Sequence, residues 1–268
     1  MTPAFFQPSS AMIQPYALMD LDDTLFQTQR KIDAWQLLTC QQDELVCATV
    51  NKQGEPLSFM TPRQSTMVNW LLACTELIPV TARDTQEIKR VKLPFNSWQV
   101  LTHGAVILSP NGDALPDWQA QMHRQLAPLQ DKVAHLIDVI KATNQSYGQA
   151  LKLAIHSDVF LGEQLTIYLA IKHQRKDHQA LADLAQRLPS LLDNLTDDFY
   201  IHVNANNLAI LPHCVHKHHA VQYLLTEHLD NSRPSFGFGD SLADLPFLQL
   251  LDWYGTPNHG QLHDAFKI

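Results

Sequence analysis

Tyr16-Ala17-Leu18-Met19-Asp20-Leu21-Asp22-Asp23-Thr24-Leu25 is the stretch whose reading decides the fold of this chain. Four residues of strand character run directly into Asp20, Asp22 and Asp23. In an open α/β sheet, ligands bind beyond the carboxyl ends of the strands, so a buried strand ending in carboxylates carries negative charge to that place. Carboxylates at i and i+2 can share a cation, or divide nucleophile and acid–base roles between them. The plain alternative is an Asp-rich turn, since Asp is a common turn former. The rest of the chain decides between the two.

Leu77-Ile78-Pro79-Val80 is a second apolar strand, and it ends in Thr81-Ala82-Arg83-Asp84. Asp84 with Glu87 fits the capping pattern of a new helix. Lys217 opens a helix with Ala220, Leu224 and His228 spaced along it. Ser235-Phe236-Gly237-Phe238-Gly239 is a glycine-bearing strand running into Asp240-Ser241-Leu242-Ala243-Asp244. Parallel topology gathers Asp20, Asp22, Thr81, Lys217, Asp240 and Asp244 at one edge of one sheet. Several carboxylates beside a phosphate dianion repel strongly: at an effective dielectric near 20, each like-charged pair ~4 Å apart costs about 4 kcal/mol. One lysine does not offset that sum, so the arrangement predicts a bound divalent cation. All-oxygen ligands with retained water suit Mg²⁺.

The 268 residues suffice for one large domain or a domain with a smaller companion, and 45% hydrophobic content supports a sizeable core. A net charge of -8 argues against a nucleic-acid partner. Cys40, Cys47, Cys74 and Cys214 have irregular spacing, which reads as reduced thiols in a cytoplasmic protein. No apolar run reaches the length of a membrane span. Residues 1–15 lack the pattern of a signal peptide and read as an arm of little regular structure.

Ile32, Trp35 and Leu38 suggest a helix over Gln29–Cys40, followed by a hairpin of Leu45–Val50 and Glu55–Met60. Thr61-Pro62 is a helix start, with Met67, Leu71 and Cys74 expected on one face. A strand is expected near Gln99–Leu101. Beyond the turn Pro110–Asp113 the organisation changes. Helices over Trp118–Thr143 precede strands Leu151–Ser157 and Leu165–Lys172. A helix capped by Asp177 precedes strands Phe199–Val203 and Leu208–Leu211. Paired elements of this kind suggest a small antiparallel sheet with helices on one face. The expectation is a Rossmann-like, doubly wound α/β core over residues 1–112 and 208–268, with an inserted α+β cap over 113–207.

Asp20-Leu21-Asp22-Asp23-Thr24, Thr81, Lys217 and Gly239–Asp244 resemble, in order and spacing, the four motifs of the phosphatase branch of the haloacid dehalogenase superfamily. The insertion resembles the type 2 cap of Cof-like and sucrose-phosphatase-like hydrolases, and His103-Gly104-Ala105 resembles the Asn-Gly-Ala turn before it. The resemblance implies a Mg²⁺-dependent phosphatase of a small phosphorylated metabolite, a sugar phosphate in the first place. Asp20 would be the nucleophile that forms an aspartyl-phosphate, and Asp22 the acid and base. Asp20, the Asp22 backbone carbonyl and Asp240 would hold the metal, with Asp244 acting behind them or through a metal-bound water. Thr81 and Lys217 would bind the phosphoryl group. The rivals are a phosphomutase or other phosphotransferase on the same core, and a binding or regulatory protein of low turnover. A monomer or homodimer with no nucleic-acid or membrane partner completes the expectation.

The chain departs from the pattern at Ala82, where Gly is usual, at Ala243, where Asn is common, and at His103 in place of Asn. The hairpin over 45–60 lengthens the first interval, as an enlarged flap would. Asp23 reads as a turn residue; Arg83 could touch substrate but reads first as a surface or packing group. His213, His216, His218 and His219 lack a partner at zinc spacing and read as solvated residues flanking Lys217. Lys152, Lys172 and Arg175 are candidates to face the pocket, subject to a strand register the sequence leaves open.

Overall fold

Tyr16–Met19 forms β1, buried along its whole length in the middle of a parallel sheet. A strand flanked by helices on both faces is apolar throughout rather than alternating, as this one is. The fold comes from a computed structural model that describes residues 13–38, 44–192 and 194–267; Cys40 and residues 1–12 of the expected arm lie outside them.

Past the Asp20 turn the chain builds a small antiparallel sheet of β2 (Gln27–Thr28), β3 (Val46–Val50) and β4 (Pro56–Met60), in the order β2-β4-β3. The hairpin is as expected. Helix α1 (Gln29–Ala34) is shorter than the reading to Cys40: Gln36 turns left-handed at φ 52°, and the Leu37 N–H returns to the Ile32 carbonyl. Helix α2 (Pro62–Cys74) begins as read, with Thr61 and Gln64 forming a reciprocal capping box. Its buried face is Val68 and Leu71, and Met67 is exposed. The buried face is rotated from the expected Met67, Leu71 and Cys74: Val68 takes the inward place of Met67, and Cys74 is half-buried.

Strand β5 (Glu76–Pro79) lies parallel beside β1, and β6 (Gln99–Leu101) continues that side through a single parallel bridge between Val80 and Val100. The helix expected after Asp84 is reduced to one 3₁₀ turn, Ile88–Arg90. The capping bonds do form, since Asp84 Oδ1 accepts from the Gln86 and Glu87 N–H groups. The chain is then drawn away, with the Lys92 N–H bonding the Ala48 carbonyl of the small sheet at 2.7 Å. Strand β7 (Val106–Leu108) pairs back on β6.

The second layer begins with α3 (Pro116–Leu126) and α4 (Gln130–Asn144). Then come β8 (Leu151–Phe160), β9 (Glu163–His173), α5 (His178–Leu191), α6 (Leu195–Asp198), β10 (Phe199–Asn204) and β11 (Asn207–Pro212). These strands form an antiparallel sheet ordered β10-β11-β9-β8. Its two faces separate by alternation. Leu169, Ile171, Leu208 and Ile210 pack with Leu136 of α4 and Leu184 of α5, while Tyr168, Ala170, Ala209 and Leu211 join the cluster of the parallel core. Asp177 caps α5 as read, accepting from the Ala180 N–H. Strand β11 pairs with both β9 and β10 through residues placed after the expected boundary at 207, so the second sheet runs to Pro212.

Helix α7 (Lys217–Glu227) returns the chain to the core, followed by β12 (Ser235–Phe238), α8 (Leu245–Leu248), β13 (Trp253–Gly255) and α9 (Gln261–Ala265). The parallel sheet is ordered β13-β12-β1-β5. Leu18, Met19, Ile78 and Phe247 are fully buried there, and each such side chain contributes roughly 1.5–3 kcal/mol. Gly237 is required in β12, because a Cβ there would stand 2.4 Å from the Leu18 carbonyl oxygen of β1. Among the described residues no helix is long and apolar enough to cross a membrane.

Candidate active site

Three parallel strands deliver polar residues to one edge. Asp20 follows β1, Thr81 lies just past β5, and Asp240 follows β12. Asp20 is held in place by its N–H, which donates to the Phe238 carbonyl at 3.0 Å. Beyond it the backbone folds tightly: the Leu25 N–H reaches the Leu21 carbonyl at 2.9 Å, and Asp23 sits at φ 66°. This turn brings Thr24 back over the strand end, where its hydroxyl donates to Asp20 Oδ2 at 3.0 Å.

The other Asp20 oxygen accepts from Lys217. Lys217 Nζ donates to Asp20 Oδ1 at 2.7 Å and to Asp244 Oδ1 at 2.6 Å, so one buried ammonium bridges two carboxylates. It opens α7 behind His216, whose Nδ1 caps the helix by accepting from the His218 N–H. Asp244 Oδ2 in turn accepts from the backbone and hydroxyl of Ser241, at 3.0 and 2.7 Å. Asp244 is thereby fixed on both oxygens.

Asp20, Asp240 and Asp244 are all buried, and one oxygen of each lies within 4.8 Å of the others. In their ionised forms these three carboxylates face one ammonium. Burial raises the carboxyl of Asp20 against the pull of Lys217, and burial with the charges of Asp20 and Asp244 raises that of Asp240. Burial opposes the Lys217 charge too, but the two carboxylates outweigh it and hold its proton more tightly than usual. A cluster short of positive charge, with all-oxygen donors, fits a hard divalent cation. No other such group of histidine, cysteine and acidic side chains occurs among the described residues, and the His213–His219 cluster does not form one.

Asp22 stands apart from this group. Both its oxygens are taken by Arg83, with Nε donating to Oδ2 and Nη2 to Oδ1, each at 2.7 Å. Arg83 is not a surface group: it packs its guanidinium over the ring of fully buried Phe26 at 5.4 Å while pairing with Asp22. The sequence signal for it was its place two residues after Thr81, in the same strand-end loop. Thr81 is buried, and its hydroxyl accepts from the Arg83 N–H at 3.2 Å. Asp23 pairs with Lys31 and, through its carbonyl, with His259, as befits a turn residue.

The antiparallel sheet covers the edge with β8 and β9. His156 stacks on Tyr168 at 4.2 Å, and His103 meets the same ring edge-on at 5.0 Å. His156 Nδ1 lies 3.7 Å from Asp84, and the Thr85 hydroxyl donates to Asp158 at 3.2 Å, so two contacts tie this sheet to the core loop. Burial, followed by the nearby Lys217 charge, holds His103 well below its ordinary value, in the neutral form. Lys152 and Lys172 oppose each other in the β8–β9 register, on the sheet face that carries His156 and Tyr168, and both are exposed. Arg175 is exposed in the turn beyond β9.

No protein-family model matches the sequence, and no curated protein matches it. Solved structures do. The sucrose-phosphatase of a Synechocystis species, determined with sucrose and phosphate, is 16% identical over 89% of this chain and 80% of its own, with a TM-score of 0.51. A trehalose-6-phosphate phosphatase related protein is 14% identical over 92% and 87%, with a TM-score of 0.50. A haloacid dehalogenase-like hydrolase from Bacteroides thetaiotaomicron is 12% identical over 94% and 98%, again at 0.50. The shared fold is a Rossmann-like parallel core with a cap, as in haloacid dehalogenase-like hydrolases.

Proposed function

We propose that this chain is a Mg²⁺-dependent phosphatase that hydrolyses a small phosphorylated metabolite, a sugar phosphate by preference. The observation that carries the reading is the Lys217 bridge between Asp20 and Asp244 beside Asp240, at the carboxyl edge of a parallel sheet. A buried carboxylate whose orientation is fixed by an ammonium and a threonine hydroxyl is placed for in-line attack. Asp20 attacks phosphorus, the bond to the leaving oxygen breaks, and Asp22 protonates that oxygen. Asp22 then takes a proton from the water that hydrolyses the aspartyl-phosphate. Thr81 and Lys217 bind the phosphoryl oxygens as negative charge shifts among them. Asp20, Asp240, Asp244 and the Asp22 carbonyl would hold Mg²⁺, which supplies positive charge to the phosphoryl group when bound.

Residues 113–212 would then act as the lid that selects the substrate, over a core of residues 13–112 and 213–267. The sugar-phosphate preference is supported by the names of the structural neighbours. It is also supported by His103 and Tyr168, two groups able to hydrogen-bond sugar hydroxyls, which meet edge-on at 5.0 Å where the antiparallel sheet packs on the core. Cys47, Cys74 and Cys214 are free thiols, which supports a cytoplasmic setting.

The test is phosphate release from a panel of sugar phosphates, nucleotides and p-nitrophenyl phosphate, with Mg²⁺, with chelator, and with Asp20→Asn. Metal-dependent turnover lost in Asp20→Asn is expected. Folded, metal-bound protein that releases no phosphate from any of them would sink the reading.

A further inference from the structure

The Asp22–Arg83 pair is lopsided. The Arg83 side chain is 11% exposed and that of Asp22 is 50% exposed, so the buried member is the cation. A guanidinium taken out of water and laid on an apolar ring has to keep an anion on its donor edge, because a buried charge left unpaired is strongly unfavourable. The two donors that face Asp22 are Nε and Nη2, a fork that fits a carboxylate or a phosphoryl group equally well. While both Asp22 oxygens sit in that fork, the carboxylate is oriented by Arg83 rather than toward a leaving oxygen. The Arg83 N–H is bonded to the Thr81 hydroxyl at 3.2 Å, and the carboxylate in the fork belongs to Asp22, two residues after Asp20. The fork therefore opens beside the expected seat of the phosphoryl group.

We propose that Arg83 is an anion exchanger within the site: it holds Asp22 in the resting protein and passes to the phosphoryl oxygens of an arriving phosphate monoester, releasing Asp22 toward the leaving group. The exchange rests on the phosphatase reading for the role of Asp22, but the binding step it predicts stands without turnover. No bond is made or broken; two ion pairs trade partners, and Arg83 stays paired throughout. Substrate arrival and release of the acid become one event.

The experiment is a calorimetric titration with inorganic phosphate in the presence of Mg²⁺, on wild type, Arg83→Gln, Arg83→Lys and Asp22→Asn. Arg83→Gln is expected to weaken phosphate binding at least tenfold, and Arg83→Lys to recover part of it. Asp22→Asn, which removes the competing anion, is expected to bind phosphate several-fold more tightly than wild type. In steady state, KM for the best substrate should rise with the phosphate dissociation constant in Arg83→Gln. Phosphate affinity that is indifferent to both Arg83→Lys and Asp22→Asn, with kcat alone reduced, would overturn the exchange and leave Arg83 as a prop for Asp22. A wild type without metal-dependent turnover would count against the phosphatase reading, and the opposite shifts of Arg83→Lys and Asp22→Asn would still decide the exchange. Should Arg83→Gln fail to fold, those same two variants carry the test.

Discussion

Lys217 donates to Asp20 at 2.7 Å across 197 residues of sequence and to Asp244, 27 residues later in the chain, at 2.6 Å. The ammonium partly neutralises a charge cluster that burial makes unfavourable, and it fixes the oxygen of Asp20 that is not held by Thr24.

Removing that ammonium should expose the need for another cation. Lys217→Met leaves Asp20, Asp240 and Asp244 buried without it, and breaking a buried pair in this way costs about 3–5 kcal/mol. The expected result is a large fall in the urea midpoint in chelator that Mg²⁺ substantially reverses. A loss of the same size with and without metal would mean that the carboxylates are not the cation site.

Stability in chelator should fall as pH rises. Asp20 and Asp240 both have carboxyl groups raised in the folded protein, by burial before all else, above the ordinary value of 3.8. A group with a raised folded value contributes stability that is complete below its unfolded value and is lost as pH rises through the folded one. The thermal midpoint without metal is therefore expected to decline from about pH 4 upward. Mg²⁺ should flatten that decline, since it favours the ionised carboxylates. A midpoint in chelator that climbs over the same range would contradict the placement of these groups.

Gly104 reports on the geometry behind Lys217. Its φ is +96°, and a Cβ there would stand 2.5 Å from the carbonyl oxygen of His216, the residue that caps α7. Gly104→Ala combines a left-handed penalty of about 1–2 kcal/mol with displacement of the helix start. Turnover is expected to fall at least tenfold, with a lower thermal midpoint, while Ala105→Gly costs little in turnover. Equal turnover in Gly104→Ala and wild type would show that the position of α7 tolerates movement.

Much of this site is written in local signals. An apolar strand meeting Asp20, a helix opened by Lys217 and a strand running into Asp240 each need only a few adjacent residues, and the parallel fold does the gathering. Thr61-Pro62 and Asp177 were legible for the same reason, because a cap is a contact across three residues. What escaped depends on distant partners. Arg83 finds Asp22 61 positions earlier. The segment after Asp84 is drawn away by the Lys92 bond to Ala48, and although Leu208–Leu211 reads as a strand of the antiparallel sheet, its partner β9 is something no local pattern announces. Met67 was misplaced because several apolar residues crowd α2, and only the packed neighbour decides which of them face inward.

The position of β1 in the sheet has a consequence for how the protein is made. Its two neighbours are β5 at Glu76–Pro79 and β12 at Ser235–Phe238, so the first strand of the sheet waits for almost the last to be paired on both sides. During synthesis one edge of β1 stays open while the whole antiparallel sheet is translated. The antiparallel sheet pairs its strands with near neighbours and can close early; the parallel sheet closes only when β12 arrives. Nascent chains halted before β12 expose an apolar strand edge of the kind that chaperones engage and aggregation exploits.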